Sequence, residues 1–202
     1  MSTLEKGIFR RTQLLLGDAV MERLAAVADS VRRTMPREMM RFGMLMQLPH
    51  DVDRTTYYGR GPVESYIDRK HSQRVGLYSL TADEQFFPYI RPQEAGLRSD
   101  VRWWRQADAE GRGFTVSTAD GALFSASALH YDIEALDDGD EKEQRHVEDV
   151  AESQYTVLCL DGEHTGVAGV HSWGARPLPQ HRVWFGPKTF TFTITPCSAP
   201  TE

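Results

Sequence analysis

Phe42, Met44, Met46 and Leu48 are apolar at every second position, the two-residue period of a strand with one buried face. Comparable apolar runs recur at 75–78, 86–90, 101–104, 114–117, 123–130, 154–160, 182–185 and 190–194. Turn formers lie between and around them: Pro49-His-Asp-Val-Asp53, Gly59-Arg-Gly-Pro62, Glu110-Gly-Arg-Gly113, Asp120-Gly121 and Asp161-Gly162. Many short strands parted by Gly, Pro and Asp predict an all-β chain folded as an antiparallel β-sandwich. Residues 39–195 carry no internal repeat and no linker, so they read as one domain.

The N-terminal residues have a different period. Val20, Met21, Leu24, Val27 and Val31 recur at three- and four-residue steps, which puts them on one face of a helix over 18–33. Asp18 is placed to cap it and Pro36 to stop it. The sequence therefore divides into a helical segment (1–36), a sandwich (37–196) and a tail (197–202).

One stretch breaks the strand pattern. From His164 to Ala175 the chain is rich in small residues (Gly166, Ala168, Gly169, Gly174, Ala175), with Trp173 among them. Little side chain surrounds that indole, so the ring has two readings. It plugs the end of the sandwich core, as Trp usually does, or it lies open as a flat platform for the apolar face of a sugar ring.

Composition narrows the partners. The 202 residues carry a net charge of −6, which argues against a phosphate backbone as partner. No apolar run reaches the roughly 18–20 residues of a membrane span, and Leu14-Leu-Leu16 is too short for the core of a signal peptide. Cys159 and Cys197 form no disulfide framework, so a reducing, cytoplasmic setting is expected. The acidic residues of 132–149 lack the oxygen spacing of a calcium loop and read as a solvated connection.

Catalytic signatures are missing. The seven histidines include no HExxH pair, and no GxSxG elbow occurs. His164 and His171 flank the Trp173 loop and read as ordinary hydrogen-bonded histidines. Glu64, Asp68, Glu94 and Asp100 are carboxylates in a stretch that also holds Arg60, Arg69, Arg91, Arg98 and Arg102. Structural ion pairs are the expected use of such carboxylates. From the residues alone the reading stops at a β-sandwich with a possible aromatic platform.

A set of motifs in unbroken order carries more. These are Arg41-Phe-Gly-Met44 with Gln47-Leu-Pro49, Tyr58-Gly-Arg-Gly-Pro62, Glu64, Tyr66 and Asp68-Arg-Lys70, then Val75-Gly-Leu-Tyr78 and Pro88-Tyr-Ile-Arg-Pro-Gln-Glu94. Asp100-Val-Arg-Trp103, Ser127-Ala-Leu-His-Tyr131, Gln144-Arg-His146, Ser172-Trp-Gly-Ala175 and the 190–196 run follow. Together they resemble the C-terminal domain, or small chain, of the β-galactosidases of glycoside hydrolase family 2. The resemblance implies a large antiparallel sandwich of the galactose mutarotase type. It implies a retaining reaction whose two catalytic glutamates, and whose magnesium and sodium, belong to a separate (β/α)8 barrel. This chain is then expected to hold no catalytic group and no cofactor. Its partners would be a galactoside or other carbohydrate and a barrel-bearing chain, with no nucleic acid or membrane. The Trp of the Ser-Trp loop is the family's sugar-stacking residue, so Trp173, with Ser172 and His171 beside it, is the expected substrate-binding set.

Some positions depart from the family. Ser65 and Ala95 stand where Asn is common, Ala168 where Gly is, and Val170 where Asp is, so polar groups and a flexible backbone position are exchanged in the loops. Two further readings follow. One is a free-standing carbohydrate-binding or interaction sandwich. The other is a mutarotase-like enzyme using His146 and Glu94 as acid and base.

Overall fold

The computed structural model describes residues 37–137, 145–171 and 173–197. The helix read over 18–33, part of the acidic connection, Ser172 and the tail from residue 198 lie outside the described residues. In chain order the strands are β1 (Glu38–Met39), β2 (Arg41–Pro49), β3 (Arg54–Gly61), β4 (Arg74–Thr81), β5 (Arg98–Val101) and β6 (Trp103–Ala107). They continue as β7 (Gly113–Ser117), β8 (Phe124–Leu129), β9 (Tyr155–His164), β10 (Val183–Trp184) and β11 (Thr193–Cys197). Two single-turn helices, α1 (Ala82–Gln85) and α2 (Ile133–Leu136), sit in connections.

The strands form a five-stranded sheet in the order β11-β7-β6-β3-β4, a four-stranded sheet in the order β2-β9-β8-β5, and a β1-β10 ribbon. All of their pairings are antiparallel. The two larger sheets close on one core, the sandwich that the alternating pattern predicts. Tyr57, Trp104 and Val116 come from the five-stranded sheet, and Phe124, Ala126, Ala128, Leu158 and Leu160 from the four-stranded one. The large rings of Tyr57 and Trp104 on one layer share this core with Phe124, the two leucines and the small Ala126 and Ala128 on the other. Each such large apolar side chain contributes about 1.5–3 kcal/mol on burial. Gln106 is wholly buried among them. Its Oε1 accepts from the Thr55 hydroxyl at 2.8 Å and the Trp104 indole N–H at 3.0 Å, and its Nε2 donates to the Val52 carbonyl at 2.7 Å. This polar side chain is therefore buried with its partners supplied.

Four local expectations change. Gly59-Arg-Gly61 is the end of β3, not a loop. A Cβ at Gly61 would lie 2.8 Å from Tyr78 Cδ2, and one at Gly59 3.1 Å from Val101 Cα, so the glycines make room for a ring on the paired strand β4 and for the backbone of β5 in the other sheet. Asp161-Gly162 does not turn the chain. Asp161 faces Gly43 and Glu163 faces Phe42, which leaves Gly162 as the extra residue of a β-bulge inside β9. The 86–90 run is not a strand: Thr81 and Glu84 form a capping box that turns β4 into α1. The 101–104 run divides between β5 and β6, with Asp100 at φ 52° beside the break.

Candidate functional site

Trp173 is 87% exposed, so it does not plug the core. Trp104, wholly buried, occupies that place. Trp173 rides near the tip of the connection between β9 and β10, among whose described residues only a 3-10 turn at Pro179–His181 is regular.

Both ends of this connection are fastened. At the outgoing end Thr165 donates its backbone N–H to the Met40 carbonyl at 2.7 Å and its hydroxyl to the Met39 carbonyl at 2.8 Å. The same hydroxyl accepts the Val183 N–H at 2.9 Å. Gly166 N–H goes to the His181 carbonyl at 2.7 Å, and Asp68 accepts the two amides after it: Val167 N–H on Oδ1 at 3.2 Å and Ala168 N–H on Oδ2 at 2.7 Å. On the return side Arg176 and Arg182 both reach Glu38, at 3.4 and 3.1 Å. At the tip the Trp173 N–H donates to His171 Nδ1 at 3.0 Å, and the two rings lie 5.7 Å apart, tilted by 53°. Gly174, at φ 80°, supplies the left-handed step that turns the chain after the ring. Ala168 is not among the positive-φ residues, so an alanine sits there without left-handed backbone strain. Of the three residues expected to bind substrate, Trp173 and His171 are thus together, and Ser172 lies outside the described residues.

Below the loop is a buried polar cluster that sequence reasoning did not assemble. Arg41 Nη2 donates to Glu94 Oε2 at 2.7 Å and lies 3.1 Å from His164 Nε2. His164 Nδ1 is 2.6 Å from the Thr165 carbonyl, so Nδ1 carries the proton and Nε2 accepts from the guanidinium. Burial, with Arg41 adding to it, holds the His164 imidazolium pKa down at about 4. Asp161 Oδ2 lies 3.6 Å from Arg41 Nη1. Burial pushes the Asp161 carboxyl up to about 7 although Arg41 opposes the shift. Glu94 is likewise raised by burial, against Arg41. For Arg41 burial works against the charge, but Glu94 and Asp161 outweigh it and hold the guanidinium protonated.

The four carboxylates singled out in the sequence are all engaged. Glu64 pairs with Arg69 and accepts from the Tyr89 hydroxyl. Glu94 pairs with Arg41, and Asp100 with Arg60 and Lys70. Asp68 holds the loop amides. For Glu64 and Asp100 the arginine belongs to the group named from the sequence; Arg41 does not. His146 does not join Glu94: its backbone N–H meets Asp149 at 3.0 Å, and the histidine beside Glu94 is His164, at 3.6 Å. A cavity of about 420 Å³ lies on the outer side of the four-stranded sheet, with Cys159, Ser127 and Leu129 in its floor and Arg41 and Glu94 in its wall. Among the described residues no group of three or more His, Cys, Asp or Glu could hold a metal ion, and no helix is long and apolar enough to cross a membrane.

Residues 19–195 match the family model described as β-galactosidase small chain. The match starts upstream of residue 37, where the shared motifs begin. Among curated proteins, a β-galactosidase of Priestia megaterium is 33% identical over 187 residues, 92% of this chain and 17% of the relative. β-Galactosidase BgaC of Bifidobacterium adolescentis is 35% identical over 133 residues, covering 65% and 12%. A β-galactosidase of Lactobacillus delbrueckii subsp. bulgaricus is 37% identical over 139 residues, covering 69% and 13%. The chain therefore spans less than a fifth of the length of these relatives.

Proposed function

We propose that this chain, which belongs to the β-galactosidase small-chain family, presents Trp173 as a stacking platform that completes a galactoside-hydrolysing site carried by a barrel-bearing chain. The observation that carries this reading is the exposure of Trp173, 87%, on a loop fastened at both ends. An indole that is open and yet held in place offers a flat apolar face to a sugar ring without first having to be ordered. His171 Nδ1 is occupied by the Trp173 N–H, which leaves its Nε2–H to donate to a sugar hydroxyl. Ser172, between them in sequence, joins the proposed contact set.

In this reading the described residues supply binding and no bond-breaking group. Glu64, Glu94 and Asp100 are committed to cationic side chains and Asp68 to backbone amides. None is a free acid–nucleophile pair of the sort glycoside hydrolysis uses. In this reading the magnesium and sodium of the family's chemistry are held by groups outside this chain. A cytoplasmic setting belongs to the same reading.

The test is lactose hydrolysis by a barrel-bearing β-galactosidase fragment that lacks its C-terminal domain, with this chain added. Turnover that appears on addition and weakens in Trp173→Ala supports the proposal. A folded chain that restores nothing, but whose indole fluorescence responds saturably to galactose, would replace it with a free-standing carbohydrate-binding sandwich.

A further inference from the structure

Asp68 lies about a hundred residues before the loop it holds, on a pedestal built for rigidity. Tyr66 and Arg69 close a tight turn around it, with Arg69 N–H to the Tyr66 carbonyl at 2.8 Å and Tyr66 N–H to the Arg69 carbonyl at 3.3 Å. Tyr66 and Ser65 are fully buried. Ser65 donates its N–H to the Leu97 carbonyl at 2.8 Å, and its hydroxyl lies 2.9 Å from that of Ser99. The Arg69 guanidinium covers the Tyr66 ring, 5.4 Å from its centroid. The turn therefore has little freedom to carry Asp68 elsewhere.

Three successive loop residues wrap the carboxylate. Val167 and Ala168 donate one amide to each oxygen, and Gly166 brings its Cα so close that a Cβ there would overlap Asp68 Oδ2. One residue on, a Cβ at Gly169 would overlap the Ala175 carbonyl, so the two limbs touch at a neck. His171, Trp173 and Gly174 lie beyond that neck. The path from the sandwich to the indole thus runs through the Asp68 carboxylate, the Gly169–Ala175 neck and the His171–Trp173 hydrogen bond.

We infer that Asp68 is a positioning residue: its carboxylate sets the place of the Trp173 loop and, through it, the fit of the sugar on the indole. The second half rests on the reading of Trp173 as a platform; the first does not. A carboxylate suits the task because it accepts two adjacent N–H groups in a charge-assisted pair. An amide in its place keeps one acceptor and turns a donor toward the other N–H.

The experiment compares the full chain with Asp68→Asn, Asp68→Glu and Trp173→Ala. Amide exchange at Val167 and Ala168 and the indole N–H resonance of Trp173 are followed by NMR, with the Leu158–Leu160 amides as an internal check on the fold. In Asp68→Asn, exchange at Val167 and Ala168 is expected to quicken about tenfold or more, for the loss of a charge-assisted hydrogen bond. The indole resonance should move and the β9 amides stay protected. Asp68→Glu, which keeps the charge one methylene farther out, should recover part of the protection. Unchanged exchange or an unmoved indole resonance in Asp68→Asn overturns the inference. In the complemented enzyme the same variant should raise KM for lactose about tenfold with kcat little changed, the mark of lost uniform binding. If Trp173→Ala raises KM and Asp68→Asn does not, the link from the anchor to the sugar is wrong. If Trp173→Ala itself leaves KM unchanged, the platform reading fails, and the exchange data still decide whether Asp68 holds the loop.

Discussion

Arg41 and His164 meet at 3.1 Å across 123 residues of chain, and the meeting fixes the chemistry of both. A guanidinium has no lone pair to offer, so the imidazole must present one on Nε2 and keep its proton on Nδ1 for the Thr165 carbonyl. Because His164 and Thr165 lead directly into the Trp173 loop, the cluster forms the footing of the candidate site.

Arg41→Met should destabilise the sandwich by about 3 kcal/mol, because Glu94 and Asp161 would be left largely buried without their cation. Urea unfolding at neutral pH measures this. A loss below about 0.5 kcal/mol would mean that the cluster is solvated in solution.

The pH dependence of stability should reveal two opposed titrations. His164, held near 4 in the fold against an ordinary 6.5, adds stability that is present above pH 6.5 and lost as pH falls toward 4. Asp161, raised to about 7 from 3.8, adds stability that is present below pH 3.8 and lost as pH rises toward 7. The contributions are on the order of 3 kcal/mol for His164 and 4 kcal/mol for Asp161 at most, and they partly cancel. Removing the second with Asp161→Asn should therefore make stability climb more steeply between pH 4 and 7. Unfolding curves for the two proteins that stay parallel across that range would refute the assignment.

Trp173→Ala should leave global stability within about 0.5 kcal/mol of the parent, as for other exposed side chains, whereas Trp104→Ala should cost about 3–5 kcal/mol. Thermal or urea denaturation of the pair separates platform from core. A large loss in Trp173→Ala would place the indole in a packed interior.

Gly43→Ala should destabilise by about 3 kcal/mol, the upper end for forced overpacking. A Cβ there would lie 2.7 Å from Asp161 Cα, and backbone cannot rotate aside as a side chain can. The cost should appear in denaturation, together with loss of amide protection at the adjoining bulge. A neutral substitution would show that β2 and β9 part more easily than their register suggests.

Several features were legible in the sequence. Phe42, Met44, Met46 and Leu48 alternate, and β2 follows them, because facing depends only on residues two apart. Glu110-Gly-Arg-Gly113 and Asp120-Gly121 mark turns for equally local reasons, and an ordered set of motifs identified the family. Other features belong to the tertiary structure. Gly59, Gly61 and Gly162 look like loop residues until the groups packed beside them, Val101, Tyr78 and Phe190, show what each must make room for. The small residues around Trp173 showed that its ring had space, but not whether it faced the core or the solvent. Only Trp104 filling the interior and Asp68 gripping Val167 and Ala168 decided that. Likewise the pairing of β2 with β9 sets Arg41 beside His164, and the path of the loop before β5 adds Glu94. Period and propensity act over two to four residues. Pairing between distant strands is chosen by the fit of the whole core, which no short stretch of the chain contains.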